Sequence, residues 1–245
     1  MTRLAHITDL HIDSEDDQIL NINSRNRVLT VLDGIREIGI DILVITGDIS
    51  ESTGIKWLFS LLNEMKFEYY LALGNHDKIE SFRDYNAFQY DNNGYYSFEL
   101  ANRKIIVLNS SSNNIDKNQL DWMKRNLSDK SNTIIFIHHP VLACGCSTMD
   151  QKYPLENRTE VREELLRHNH EVIIFAGHYH NDYYNVDNNI TQYVTPSTTV
   201  QIERNTENLE FDKSTLAFRV IDINENEYST HVVSINFDNP TIAST

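Results

Sequence analysis

The sequence predicts an α/β fold organised around a partly parallel sheet system. Two patterns carry that prediction. Short apolar, β-branched runs alternate with segments of helical period over the first 75 residues, as in βαβ units. Past residue 183 the apolar spacing turns to alternation, with Asn-rich turns between runs. The order is βαβαβ, then a mixed middle, then strands, which implies a parallel sheet joined to a second sheet.

Residues 4–8 read as a short buried strand. Over 24–38, Val28, Leu29, Val31, Leu32, Ile35 and Ile38 fall at helical spacing, with Ser24 as the expected N-cap. Residues 42–46 form a second buried strand. Residues 53–65 form a second helix with Trp57, Leu58, Leu61, Leu62 and Met65 on one face, and 69–73 a third strand. Strands are expected next at 95–100 and 104–108. A helix spans 116–127 with Asp116 as N-cap and Leu120, Met123 and Leu127 facing inward. Two more buried strands, 133–137 and 172–175, flank a helix at 159–167. The strands 183–186, 191–194, 215–223 and 228–235 read as antiparallel. Residues 1–238 are expected to be one domain and 239–245 a loose tail.

The chain has 245 residues, and 40% of them are hydrophobic, enough for a sizeable core and too many for general disorder. Its formal net charge is −15, which makes stable binding to nucleic acid or an anionic membrane unfavourable, since both need clustered Lys and Arg. No apolar run approaches the ~20 residues of a membrane span. The first residues, Met1-Thr2-Arg3-Leu4-Ala5-His6, carry no signal-peptide pattern, so the cytoplasm is the expected compartment. Cys144 and Cys146 are too few for a disulfide scaffold or a thiolate zinc site.

The informative residues stand just beyond the end of each buried strand. The strand ends deliver Asp9-Leu10-His11, Gly47-Asp48, Gly74-Asn75-His76-Asp77, His138-His139-Pro140 and Gly177-His178-Tyr179-His180. Ligand crevices of open α/β sheets lie beyond the carboxyl ends of the strands, so these distant residues converge. Each motif alone is weak; Gly-His-x-His is the strongest, because two imidazoles at i and i+2 of a strand end can aim into one site. The pair His168 and His170 has the same spacing but precedes its strand, near a helix end, and is expected to be solvated or to complement the helix dipole. His6, inside the first strand, is expected to be a hydrogen-bonded core residue, and His231 to be structural. Gly34 and Gly39 have phosphate-loop spacing but no Lys-Ser/Thr comes after them. The absence of a Gly-x-Ser-x-Gly elbow removes the usual serine hydrolase.

Carboxylates, one carboxamide and several imidazoles without thiolates suit Mn, Fe or Zn. The donors are too many for one ion, and two ions a few ångströms apart are an arrangement for attack on phosphorus. Two divalent cations outweigh two Asp carboxylates and a hydroxide, so the crevice would attract a small phosphate ester although the whole chain is acidic.

These motifs, in this order, resemble the calcineurin-like metallophosphoesterase superfamily, over residues 9 to 180. The resemblance implies a four-layer αββα sandwich of two mixed β-sheets flanked by helices. It also implies a dinuclear metal centre. Asp9, His11, Asp48 and His180 would hold one ion and Asp48, Asn75, His138 and His178 the other, with Asp48 bridging; His138 is preferred to His139 by that resemblance. His138-His139-Pro140-Val141, Met149-Asp150-Gln151 and the run from Thr195 to Gln201 are further similar to bacterial class III cyclic-nucleotide phosphodiesterases, the cyclic AMP type included. The expected reaction is hydrolysis of a small phosphodiester, a 3′,5′-cyclic nucleotide such as cyclic AMP, by a metal-bridging hydroxide attacking in line. His76 would stabilise the transition state or protonate the leaving alkoxide, with Asp77 orienting it. Asn75, His76 and His180 would contact the substrate. His139 would support the site from behind, and the turn from Thr195 to Thr199 either shapes the nucleotide pocket or is plain scaffold. The alternatives are a broad-specificity phosphodiesterase or phosphomonoesterase acting on glycerophosphodiesters or 2′,3′-cyclic nucleotides, a nuclease, and a non-catalytic scaffold. Homo-oligomerisation stays open.

Overall fold

A computed structural model describes residues 1–50, 53–85, 93–127, 132–204, 209–238 and 242–244. In chain order the elements are β1 (Thr2–Ile7), α1 (Glu15–Leu20), α2 (Ser24–Glu37), β2 (Ile42–Thr46), α3 (Gly54–Glu64), β3 (Glu68–Ala72), β4 (Tyr96–Leu100), β5 (Arg103–Val107), α4 (Lys117–Asn126), β6 (Thr133–Phe136), α5 (Ser147–Lys152), α6 (Arg158–Leu166), β7 (Val172–Ala176), β8 (Tyr183–Asp187), β9 (Ile190–Val194), β10 (Gln201–Ile202), β11 (Phe211–Asp212), β12 (Thr215–Ile223), β13 (Tyr228–Asn236) and β14 (Ile242–Ser244). A 3-10 turn spans Ile79–Tyr85.

Two six-stranded mixed sheets result. One runs β14-β13-β12-β1-β2-β3, the other β4-β5-β6-β7-β9-β8, and β10-β11 is a small separate ribbon. The βαβαβ opening produces the parallel β1-β2-β3 set, with Ala5 opposite Leu43 and Val44 opposite Tyr70. β12 lies antiparallel on the other flank of β1. In the second sheet β5, β6, β7 and β9 are parallel, and β4 and β8 are antiparallel edges.

Three apolar clusters define four layers. Leu4, Val44 and Ile221 of the first sheet meet Ile134, Phe136 and Phe175 of the second between the sheets. α2 and α3 cover the outer face of the first sheet through Val28, Leu32, Leu58 and Leu62. α4 and α6 cover the second through Leu120, Met123, Val161 and Leu165. This is the αββα sandwich, and it arises from strands that are apolar on both faces and so need cover on both.

The structure departs from the sequence reading in places. Asn23, not Ser24, caps α2, its side chain accepting from Asn26 N at 3.0 Å; Ser24 instead donates to Asp17 Oδ2 at 2.7 Å. Asp116 caps α4 as expected, accepting from Gln119 N at 2.9 Å. β9 is antiparallel only to β8; its other side runs parallel to β7. Part of the expected loose tail is an edge strand, with Ile242 to Ser244 pairing against Ile235 to Val233; residues 239–241 and 245 lie outside the described residues.

Candidate metal centre

The parallel strands of both sheets point their carboxyl ends to one end of the sandwich. Backbone hydrogen bonds clip the loops there together. Asp9 N donates to Gly47 O (3.1 Å), His11 N to Asp48 O (2.8 Å) and Ile12 N to Ile49 O (2.9 Å), joining the loops after β1 and β2. Gly177 N donates to His138 O at 2.9 Å, joining the loops after β6 and β7.

Two groups of buried donor atoms form. Asp9, His11 and His180 make one; Asp48, His138 and His178 make the other; within each group the donors lie within 4.8 Å of one another. The groups abut. Asp48 Oδ2 is 3.2 Å from His138 Nε2 and 3.7 Å from His11 Nε2, so this carboxylate sits between them. Asp9 Oδ1 is 3.2 Å from His180 Nε2 and 3.9 Å from His138 Nε2. Asn75 lines the cavities beside this centre, and its Oδ1 is buried.

The imidazoles are held in ligand-ready tautomers by groups behind them. His138 Nδ1 contacts Thr46 O at 2.7 Å and His180 Nδ1 contacts Val200 O at 2.9 Å. A carbonyl only accepts, so both Nδ1 atoms carry a proton and both Nε2 atoms face the cluster. His178 is reversed: Nε2 donates to Tyr153 O at 2.9 Å and Nδ1 faces inward, 3.1 Å from His138 Nε2. Asp9 is aimed the same way. Its Oδ2 accepts from Thr8 Oγ1 (2.8 Å) and His178 N (2.9 Å), which leaves Oδ1 toward the cluster.

The backbone is strained to achieve this. Asp9 (φ 55°), His11 (44°), Asp48 (49°), His178 (69°) and His180 (48°) all adopt the left-handed region. Non-glycine residues there cost of order 1 kcal/mol or more each, and such outliers gather at functional sites. The motif glycines allow the loops to touch. A Cβ on Gly74 would lie 2.4 Å from Asp48 Oδ1, and one on Gly177 would lie 1.9 Å from Thr8 Oγ1.

The electrostatics are set by burial and proximity. Burial disfavours ionised Asp9 and Asp48, but His180 and His138 beside the first, and His138 and His11 beside the second, hold both carboxyls below the ordinary range. Against its own burial, His138 is pushed up to about 9 by Asp48 and Asp9. Burial, with His138 next to it, lowers His178 to about 4. A pocket with two ionised carboxylates, and with the buried acceptor Asn75 Oδ1 left without a hydrogen-bond partner among the described residues, fits divalent cations. The arrangement is two buried groups of hard-to-borderline donors, suited to a pair of divalent ions.

The remaining residues fall around this centre. His76 is exposed on the rim, its ring 5.2 Å from that of His11 and its N–H donating to Asp48 Oδ1 at 2.9 Å. Asp77 is buried beneath. Its oxygens accept from Ile49 N and Gly74 N, both at 2.9 Å, so its contacts brace the loops bearing Asp48 and Asn75. Burial, then the charge of Asp48, raises its pKa to about 7. His139 packs its ring 4.2 Å from His178 and contacts Ser110 Oγ at 2.8 Å through Nδ1. The 195–199 turn proves to be scaffold: Ser197 Oγ and Thr199 Oγ1 donate to Asp9 O at 2.9 and 3.1 Å, fully buried beneath it. His6 is fully buried between Thr46 Oγ1 (2.6 Å) and Thr195 Oγ1 (2.7 Å), as a core His should be. His168 and His170 stay at the end of α6, outside the metal groups.

Two cavities flank the centre. One of about 280 Å³ is lined by Ser50, Asn75, His76, Lys78 and Ser81. The other, of about 200 Å³, includes Asn75, Asn113, Lys152, Tyr153 and His178. Lys78, Lys152 and the carbonyls of Thr46, Tyr153 and Val200 escape sequence reasoning; a lysine outside a motif is unremarkable and every residue has a carbonyl. The sequence places substrate choice in the loops between Asp77 and Tyr95 and after Thr199; residues 86–92 of the first lie outside the described residues.

Residues 2–182 match the family model described as calcineurin-like phosphoesterase. A protein of Fibrobacter succinogenes named as a probable cyclic nucleotide phosphodiesterase is 28% identical over 241 residues, covering 96% of this chain and 94% of that protein. The Escherichia coli K12 protein named 3′,5′-cyclic adenosine monophosphate phosphodiesterase CpdA is 26% identical over 241 residues, covering 90% of this chain and 85% of its own. A dimetal phosphatase from Danio rerio shares the fold, with a TM-score of 0.73 at 15% identity over 99% of this chain and 98% of that one.

Proposed function

The chain belongs to the calcineurin-like phosphoesterase family, and from that premise we propose that it hydrolyses a small phosphodiester, a 3′,5′-cyclic nucleotide such as cyclic AMP, at the Asp9–Asp48–His138–His180 cluster. The observation that carries this reading is Asp48, whose carboxylate stands between two buried donor groups. Asp9, His11, Asp48 and His180 would hold one divalent ion. Asp48, Asn75, His138 and His178 would hold the other. When bound, such ions polarise phosphoryl oxygens and lower the pKa of water to about 7.

The chain's own groups then have distinct tasks. Asn75, His76 and His180 face the phosphoryl group. His76, on the open rim, delivers a proton to the leaving oxygen or stabilises charge on the phosphoryl oxygens. Lys78 and Lys152 give the two flanking cavities positive charge for an anionic ester. Asp77 and the Ser197–Thr199 hydroxyls keep the ligand loops in place. The cyclic-nucleotide choice draws on the names of relatives of 26–28% identity that match along nearly the whole chain.

Steady-state kinetics across cyclic AMP, cyclic GMP, 2′,3′-cyclic nucleotides, glycerophosphodiesters and bis(p-nitrophenyl) phosphate tests the reading, with Mn, Fe and Zn compared. Cyclic AMP or cyclic GMP should give the highest kcat/KM. A higher value for glycerophosphodiesters or 2′,3′-cyclic nucleotides would instead make this a broad phosphodiesterase.

A further inference from the structure

We propose that β8 is a self-association edge, through which two copies of this chain join their second sheets, by an antiparallel β8–β8 pair, into one twelve-stranded mixed sheet. β8 is the terminal strand of its sheet, and among the described residues no strand covers its outer side. Edge strands are normally blunted by Lys, Pro or a bulge, and Tyr183-Tyr184-Asn185-Val186-Asp187 carries none of these. Tyr184 (62% exposed) and Val186 (55%) are the exposed large hydrophobics that lie in strands among the described residues.

The hydrogen-bond phase of the hairpin fixes which groups are free. Val172 N donates to Asn189 O and Thr195 N to Ala176 O, so the odd-numbered backbone groups from 189 to 195 face β7. Ile190, Gln192 and Val194 therefore face β8 and pair with Asp187, Asn185 and Tyr183. The N–H and C=O groups of Tyr184 and Val186 then point outward, to the open edge. A twofold axis through Asn185 sets Tyr184 opposite Val186 of the second copy, and Val186 opposite its Tyr184. All four outward groups of each strand are used, and two aromatic-against-β-branched pairs form on one face.

Two further features suit this partner. Asn185 lies on the axis in a non-hydrogen-bonded pair, where side chains approach most closely. The acidic residues at the strand ends are already neutralised, Asp187 by Arg162 and Asp182 by Arg219, so like charges do not meet across the edge. The register sets Asp187 opposite Tyr183 rather than opposite itself. A second copy is the favoured occupant because the register centred on Asn185 uses all four outward groups of both strands and pairs both exposed apolar side chains.

The test uses the full chain in sedimentation velocity, from low to high micromolar concentration. Wild type should show a reversible species at twice 28.5 kDa. V186K should raise the dimer Kd at least about tenfold, since it buries an unpaired ammonium, while circular dichroism stays unchanged. N185C should cross-link to a covalent dimer under mild oxidation, because a non-hydrogen-bonded antiparallel pair brings Cα atoms to about 4.5 Å, within disulfide range. Wild type, with Cys144 and Cys146 only, should not cross-link. A wild type that stays monomeric at every concentration overturns the proposal and leaves the edge to an extended segment of another protein. So does a dimer that V186K leaves intact and N185C fails to trap, which places the interface elsewhere.

Discussion

At the scale of single residues, Asp48 and His76 separate binding from chemistry. Asp48 faces both donor groups, so Asp48→Asn should lose both ions; elemental analysis of the purified variant should give well under one metal per chain, and activity should fall with it. Two metals and full turnover in that variant would remove Asp48 from the bridging position. His76 sits on the rim and reaches the centre through its backbone N–H on Asp48. His76→Ala should keep the metal content of wild type and lower kcat by roughly 10²–10⁴-fold, the usual contribution of a positioned acid or base. The residue types at the centre are legible in the sequence because Asp, Asn and His follow strands whose last residues are largely apolar and buried, where no structural need calls for them. Their tautomers are not. Those depend on the carbonyls of Thr46, Tyr153 and Val200, which any side chain would supply equally well.

At the scale of elements, the loops matter more than the strands. Gly177 shows why the motif is read as a unit. A Cβ there would lie 1.9 Å from Thr8 Oγ1 and 2.8 Å from Asp9 Oδ2, so Gly177→Ala must push β1 from the loop after β7. The expected cost is about 1–3 kcal/mol, seen as a lower urea midpoint at constant m-value, together with weaker metal retention. A variant as stable as wild type would show that the loops can part without loss. The long buried strands and the amphipathic helices are predictable from period alone. α1 (Glu-Asp-Asp-Gln-Ile-Leu) and α5 (Ser-Thr-Met-Asp-Gln-Lys) are not, since six residues with one or two apolar positions carry no periodic signal. The alternation over β9 identifies a strand but not its neighbours, so its parallel pairing with β7 does not show in the sequence.

At the scale of the whole molecule, His6 links the two sheets. It lies in β1, yet its ring packs edge-on against Phe136 and Phe175 of the second sheet, at 5.5 and 6.2 Å. Burial, then Arg219 nearby, lowers its pKa to about 3 from 6.5. The folded state thus resists a proton that the unfolded chain accepts below pH 6.5. Stability from this group is complete above that pH and is lost as pH falls toward 3. Between pH 6.5 and 5 the loss should approach about 2 kcal/mol, and His6→Gln should flatten that part of the pH–stability curve measured by denaturant unfolding. An equal slope in both proteins would place the proton elsewhere. The net charge of −15 acts in the same overall frame, disfavouring long polyanions as partners. The sheet order has a last consequence, for biosynthesis. β1 is flanked by β2 on one side and by β12 on the other, with Thr2 opposite Ile223. A ribosome-bound nascent chain can therefore lay down Asp9 and Asp48 early, yet it must hold that flank open until the last strands emerge. Each donor group nevertheless waits on a residue far along the chain, His180 for Asp9 and His11, and His138 with His178 for Asp48, so a nascent chain that has made only β1 to β3 holds no complete metal group.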